Sequence, residues 1–168
     1  VEGVPTGAAA HLKRLAGDPH PIVRAEVARA VQGDRLLWPE GCAIVQSLLE
    51  DQDRGVREAA ARALGRALAN SNAAVDPLAS ALEREDDARV ALSQSEAIWR
   101  ISGSVDELLR RALEGSMSAD VGLRRISVLA LREVTATCKA LPHQRLKERL
   151  MALGDDADCQ VRDDARVA

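Results

Sequence analysis

Apolar residues recur along this chain at two periods. The shorter is helical. In Arg54–Asn70 the residues Val56, Ala60, Ala63, Leu64 and Ala67 fall on one stripe, while Arg54, Glu58, Arg62 and Arg66 stand four apart on another face. The longer period repeats that stripe. Taking Val56 as zero, the equivalent positions are Val23, Val56, Val90, Leu123 and Val161, spaced by 33 or 34 residues and finally by 38. Seven residues later every copy has alanine (Ala30, Ala63, Ala97, Ala130, Ala168). Eight residues earlier stand Leu15, Leu48, Leu82 and Leu153, and the fourth copy departs with Leu113. Five residues before zero are Asp18, Asp51, Glu85, Ser118 and Asp156; one after are Arg24, Arg57, Ala91, Arg124 and Arg162. Such a period is that of stacked helix pairs, each covering only its neighbours.

The elements follow from local signals. Helices are expected over 7–16 (capped by Thr6), from Pro21 to 32, 40–50, 54–69, from Asp76-Pro77, 88–102, 105–114, 120–138 and from Pro142 to 153. Trp38 is expected to staple the helix that follows it, and Ser104-Val-Asp-Glu107 reads as a capping box. Residues 139–142 are extra relative to the other copies.

The copies resemble the HEAT repeat, in particular the short, Ala-rich HEAT-like repeats of phycobilisome lyase proteins, over nearly the whole chain. The resemblance implies an all-α fold, a right-handed α-solenoid of about five antiparallel helix-pair repeats (6–35, 39–69, 75–102, 105–138, 142–168) in one domain. It also implies a ladder between neighbouring repeats, formed by the turn acids and the arginines that open the second helices; carried over copy by copy, its residues are Asp18/Arg24, Asp51/Arg57 and Asp156/Arg162. Ala91 and Ser118 put that ladder in doubt in the middle of the array, where Arg124 has no acid in its own copy. With no polar capping repeat at either end, the chain reads as a segment of a longer array.

Composition narrows the function. The 168 residues include no Phe, no Tyr and two Trp, so the core must be aliphatic. A net charge of −3 argues against a general nucleic-acid coat. Three scattered cysteines (Cys42, Cys138, Cys159) suit reduced thiols in the cytoplasm, and no apolar run is long enough for a membrane span. No cofactor or metal is expected. His11, His20 and His143 are followed by Leu12, Pro21 and Gln144, which lacks the His-Glu pairing of the di-iron HEAT-like hydroxylases. Cys138 and His143 lie across a turn with no orienting third group. The paired acids Asp86-Asp87 and Asp155-Asp156 stand in turns, where they serve helix N-termini.

What remains is binding rather than catalysis. In HEAT solenoids the second helices line the concave face, and positions two, six and nine after zero oppose the apolar stripe. These are Ala25, Arg29 and Gln32; Glu58, Arg62 and Gly65; Leu92, Glu96 and Trp99; Arg125, Leu129 and Arg132. Trp99, Leu92 and Leu129 are read as anchors for a peptide or protein partner, with Arg29, Arg62, Arg125, Arg132 and Glu96 around them. The competing reading packs Trp99 into the core. A bilin lyase or other chromophore-handling role, and nucleic-acid binding, are the alternatives to a protein-binding scaffold.

Overall fold

The computed structural model describes residues 6–33, 38–67, 72–138 and 144–166. Among them the chain forms ten α-helices, two short 3-10 turns and no strand. It divides into two compact units, Val1–Ser104 and Val105–Ala168. The first contains three helix hairpins: α1 (Thr6–Ala16) with α2 (Pro21–Gly33), α3 (Trp38–Ser47, extended by the 3-10 turn Leu48–Glu50) with α4 (Arg54–Ala67), and α5 (Val75–Glu83, preceded by the 3-10 turn Asn72–Ala74) with α6 (Ala88–Ser102). The second contains two: α7 (Asp106–Gly115) with α8 (Val121–Thr137), and α9 (Gln144–Leu153) with α10 (Cys159–Arg166). Expected and observed bounds agree to within about two residues for most helices. The side chains of Thr6 and Trp38, and residues 139–143, lie outside the described set, and with them the expected cap, the staple, the insertion and His143.

The sequence period becomes the core. Val56, Val90, Leu123 and Val161 are buried, as are Leu64 and Leu131 about two turns further on and Leu48, Leu82 and Leu153 on the first helices. In the first unit α2, α4 and α6 lie side by side. Small residues set their approach. A Cβ added at Gly65 of α4 would stand 2.8 Å from the Cα of Ala97 and 2.9 Å from its Cβ, on α6. Ala97 is therefore a spacing device: a larger residue there would hold α4 and α6 apart. At position four the third and fourth copies depart from the aliphatic pattern. Gln94 and Ser127 are fully buried, and neither the Gln94 amide nor the Ser127 hydroxyl has a protein partner among the described residues.

Each turn is built the same way. The side chain five before zero accepts a hydrogen bond from the backbone N–H two residues on: His20 to Asp18 at 2.8 Å, Asp53 to Asp51 at 2.8 Å, Asp87 to Glu85 at 3.0 Å, Asp120 to Ser118 at 3.1 Å and Asp158 to Asp156 at 2.9 Å. A second carboxylate, three before zero, then caps the helix. Asp53, Asp87, Asp120 and Asp158 accept from the first free N–H groups of α4, α6, α8 and α10. The first copy has His20 there, and Pro21 opens α2 without an N–H to satisfy. Gly103, at φ 79°, ends α6 in the left-handed conformation and donates its N–H to the Trp99 carbonyl at 2.8 Å.

Two expected caps are corrected. Val105, not Ser104, is the residue that flanks α7, and no side chain caps it. The one-residue shift leaves Glu107 free to pair with Arg110 and Arg111 instead. Likewise α5 starts after Ala74 without a side-chain cap, so Asp76 sits inside the first turn.

The ladder is offset by one repeat from the pairs read off the sequence. Arg24 donates Nε and Nη2 to Asp51 at 2.6 and 2.7 Å. Arg57 grips Glu85 at 2.7 and 2.8 Å, and Arg124 grips Asp156 at 2.9 and 3.0 Å. Within its own copy each arginine turns Nη1 to the backbone: Arg24 to the Asp18 and Pro19 carbonyls, Arg57 to those of Asp51 and Gln52, Arg124 to those of Ser118 and Ala119. A guanidinium can do both because its donors form a rigid planar fork. All three pairs are largely buried.

Burial pushes the Asp51 carboxyl up, but hydrogen bonds from Arg24 and the Asp53 N–H outweigh it and hold the group below the usual carboxylate range. The hydrogen bond from Arg124 does the same for Asp156. Both groups bind protons less readily folded than unfolded, so their stabilisation is present above about pH 4 and is lost as pH falls through the folded values. Asp51→Asn and Asp156→Asn are expected to be less stable than the parent at neutral pH. In urea titrations their deficit should shrink steadily between about pH 4 and pH 2; a deficit constant across that range would remove the ladder from the acid response. Gly65→Ala is expected to cost about 1–3 kcal/mol by forcing α4 and α6 apart. Gly7→Ala, whose new Cβ would meet nothing within 4 Å, should be close to neutral in the same unfolding measurement.

Candidate interaction surface

Once the core and the ladder are accounted for, the open edge of the second helices remains. In the first unit it centres on position six. Arg29 and Arg62 are exposed there and Glu96 is half-exposed. Position ten adds Arg66, exposed, and Arg100, half-buried. Arg29, Gln32, Glu58, Arg62 and Arg66 line a groove of ≈ 350 Å³ that also reaches Gly55 and Ala59. A smaller depression beside it shares Arg62 and Arg66 and adds Glu96 and Arg100.

Helical spacing decides the charge on this face. Arg29 pairs with Glu26, Arg62 with Glu58 at 2.6 Å and Arg100 with Glu96 at 2.9 Å, each three or four residues apart on its own helix. Arg100 also lies 5.7 Å from the centre of the Trp99 ring, within cation–π range. Arg66 is different: among the described residues no carboxylate and no other group pairs with it. It stands in the last turn of α4, where a cation complements the helix dipole.

The expected anchors divide. Leu92 is 3% exposed and Trp99 8%. Both are packing residues, and the reading that turned them to the open face is corrected. The reason is α6 itself: Val90–Ser95, Ala97, Trp99 and Ile101 are all buried, so the helix has no broad polar side. A phase taken from the more amphipathic α4 does not carry over to a helix covered on most sides. Position nine is buried in α4 too, at Gly65. In the second unit, Leu129 is 42% exposed. Arg125 is held by Asp164 at 2.8 Å and Gln160 at 2.9 Å, and Arg132 is half-buried. Arg66 and Arg100 were missed by the two-six-nine pattern. The signal for Arg66 was its place four after Arg62.

Among the described residues no three His, Cys, Asp or Glu side chains stand close enough to hold a metal ion. Burial pushes the Cys42 thiol up, away from the thiolate a nucleophile needs. No helix among them is long and apolar enough to cross a membrane. In a Trp38→Phe variant, Trp99 emission is expected to be blue-shifted and only weakly quenched by iodide. Quenching as strong as that of a free tryptophan derivative would put the ring back in water.

Residues 8–99 match the family model for HEAT repeats. No curated protein matches the sequence. Among the solved structures that resemble the fold are two crystal structures of engineered proteins from the Northeast Structural Genomics Consortium. One is 19% identical with a TM-score of 0.54, over 94% of this chain and 76% of that one. The other is 21% identical with a TM-score of 0.50, over 95% of this chain and 46% of that one. At such identities the likeness speaks for fold alone, an all-α helical-repeat solenoid. The recurring stripe, the arginine rungs between hairpins and the model match over more than half of the chain agree: this chain belongs to the HEAT-repeat family.

Proposed function

We propose that the chain is a non-catalytic scaffold that binds an acidic segment of another protein on the α2–α4–α6 face of its first unit. The observation that carries this is Arg66. Among the described residues it is an exposed guanidinium without a partner, bordered by two grooves whose other arginines, Arg29, Arg62 and Arg100, each pair with a glutamate of their own helix. A guanidinium offers a carboxylate two parallel hydrogen bonds, and arginine is among the residues that dominate interface energetics. Arg29 and Arg62 would add to it, since exposed pairs three or four apart cost only about 0.3–0.5 kcal/mol to give up. The three cysteines are unpaired, which supports a reducing compartment such as the cytoplasm.

A panel of labelled peptides of equal length, acidic, neutral and basic, tests the reading by fluorescence anisotropy, with a single-stranded oligonucleotide as a further probe. Acidic peptides are expected to bind best, and Arg66→Glu to weaken them tenfold or more. Binding without charge preference, or unchanged in Arg66→Glu, would sink the proposal. Preference for the oligonucleotide over every peptide would replace it with the nucleic-acid reading.

A further inference from the structure

The α2–α4–α6 face carries an order of charge and a spacing as well as an excess of arginine. The Arg24–Asp51 and Arg57–Glu85 rungs hold the three hairpins of the first unit in register, so the residues six after zero stand level on successive helices. They are Arg29, Arg62 and Glu96: two cations, then an anion. Each has capacity left for a ligand. Arg29 donates to Glu26 through Nη1, and Arg62 approaches Glu58 through Nη2. The other prongs of both forks meet no hydrogen-bond acceptor among the described residues. Arg100 places Nε and Nη2 on the same oxygen of Glu96, Oε1, and no donor among the described residues meets Oε2. Arg66, one turn beyond Arg62, doubles the positive charge of the middle column.

The columns are close together. A Cβ on Gly65 would stand 2.8 Å from the Cα of Ala97. The two Cα atoms therefore lie within about 4.4 Å, and with helical Cα atoms about 2.3 Å from their axes, α4 and α6 approach to about 9 Å or less. Helix α2 packs on α4 as well, and packed helices lie about 8–10 Å apart. A chain crossing all three must turn a side chain to the same side about every 9 Å. A β-strand does so about every 6.6 Å. An α-helix does so after about 6 Å or about 10.5 Å, in four or seven residues. A polyproline II chain, with three residues per turn and a rise of about 3.1 Å, does so every 9.3 Å or so. It also makes no internal hydrogen bonds, so its carbonyls can accept from the guanidinium prongs and from Gln32, which shares the larger groove with Arg29. Gly65, Ser93 and Ala97 line the smaller depression between α4 and α6 and are small enough for a backbone to lie close.

We propose, resting on the scaffold reading, that the acidic partner segment is a polyproline II chain that crosses α2, α4 and α6 with the pattern acid-x-x-acid-x-x-base. Charge complementarity selects this occupant. The first acid meets Arg29, the second is clamped by Arg62 and Arg66 together, and the base meets Glu96. Proline itself is not read, because no exposed aromatic side chain among the described residues offers it a ring to stack on. At the x positions proline would serve only to hold the ligand in its bound conformation beforehand.

Fluorescence anisotropy tests it with labelled peptides of one length and composition, their two acids and one base placed two, three or four residues apart, in both chain directions. The better direction of the three-residue spacing is expected to bind at least about fivefold tighter than either other spacing. Proline at its intervening positions should keep or raise the affinity. Glu96→Lys is expected to reverse the preference at the third charged place from base to acid, and Glu96→Gln to abolish it. Circular dichroism establishes that the variants are folded; should Glu96→Lys fail to fold, Glu96→Gln carries the test. Acidic peptides that bind without regard to spacing, or that lose binding when proline is introduced, overturn the proposal and leave the scaffold reading standing. A preference at the third place that survives in Glu96→Gln overturns it equally. If no acidic peptide binds, both fall.

Discussion

A guanidinium shared between two turns, present in three of the five repeats, is the interaction on which the rest depends. The Arg24, Arg57 and Arg124 side chains tie the carbonyls of their own turn to the carboxylate of the next. This fixes the vertical register of neighbouring hairpins. An Ala-rich helix surface is smooth, and by itself it allows helices to slide. The ion pair does not: carboxylate and fork must align in distance and plane at once. Burying such pairs adds little net stability compared with an apolar contact of the same size. Their value is positional, and they hold the close approach at Gly65 and Ala97 where a small shift would open the core.

The same residue type serves the opposite purpose on the open face. There the arginines pair along one helix, with Glu26, Glu58 and Glu96, in water and at little energetic gain. Ladder arginines are committed by burial and by several acceptors each. Surface arginines are held loosely enough to exchange partners. Position in the repeat, one after zero against six or ten after it, separates the two classes.

Much of this was legible in the sequence. The period gave the hairpins, the stripe gave Val56, Leu64, Val90 and their equivalents as core, and the Asp and Arg columns gave the ladder residues. The resemblance implied that the ladder joins neighbouring repeats, but two columns read copy by copy did not say which carboxylate each arginine takes. The capping column of Asp53, Asp87, Asp120 and Asp158 stood in the sequence beside the ladder acids and was hidden by them. Trp99 and Leu92 failed for another reason. How much of a helix is covered depends on everything packed around it, and five averaged copies cannot show that α6 is enclosed where α4 is half open. Ser104 failed by a single residue, which is the usual uncertainty of a helix start.

The rungs also bear on how the chain reaches this fold. Each joins residues only 27, 28 or 32 apart in sequence. Contacts so local cost little loop-closure entropy, so a hairpin can form early and template the next. Folding of such an array can start at any repeat and spread in either direction. Within each unit the rungs are the register marks of that spread, Arg24 and Arg57 in the first and Arg124 in the second.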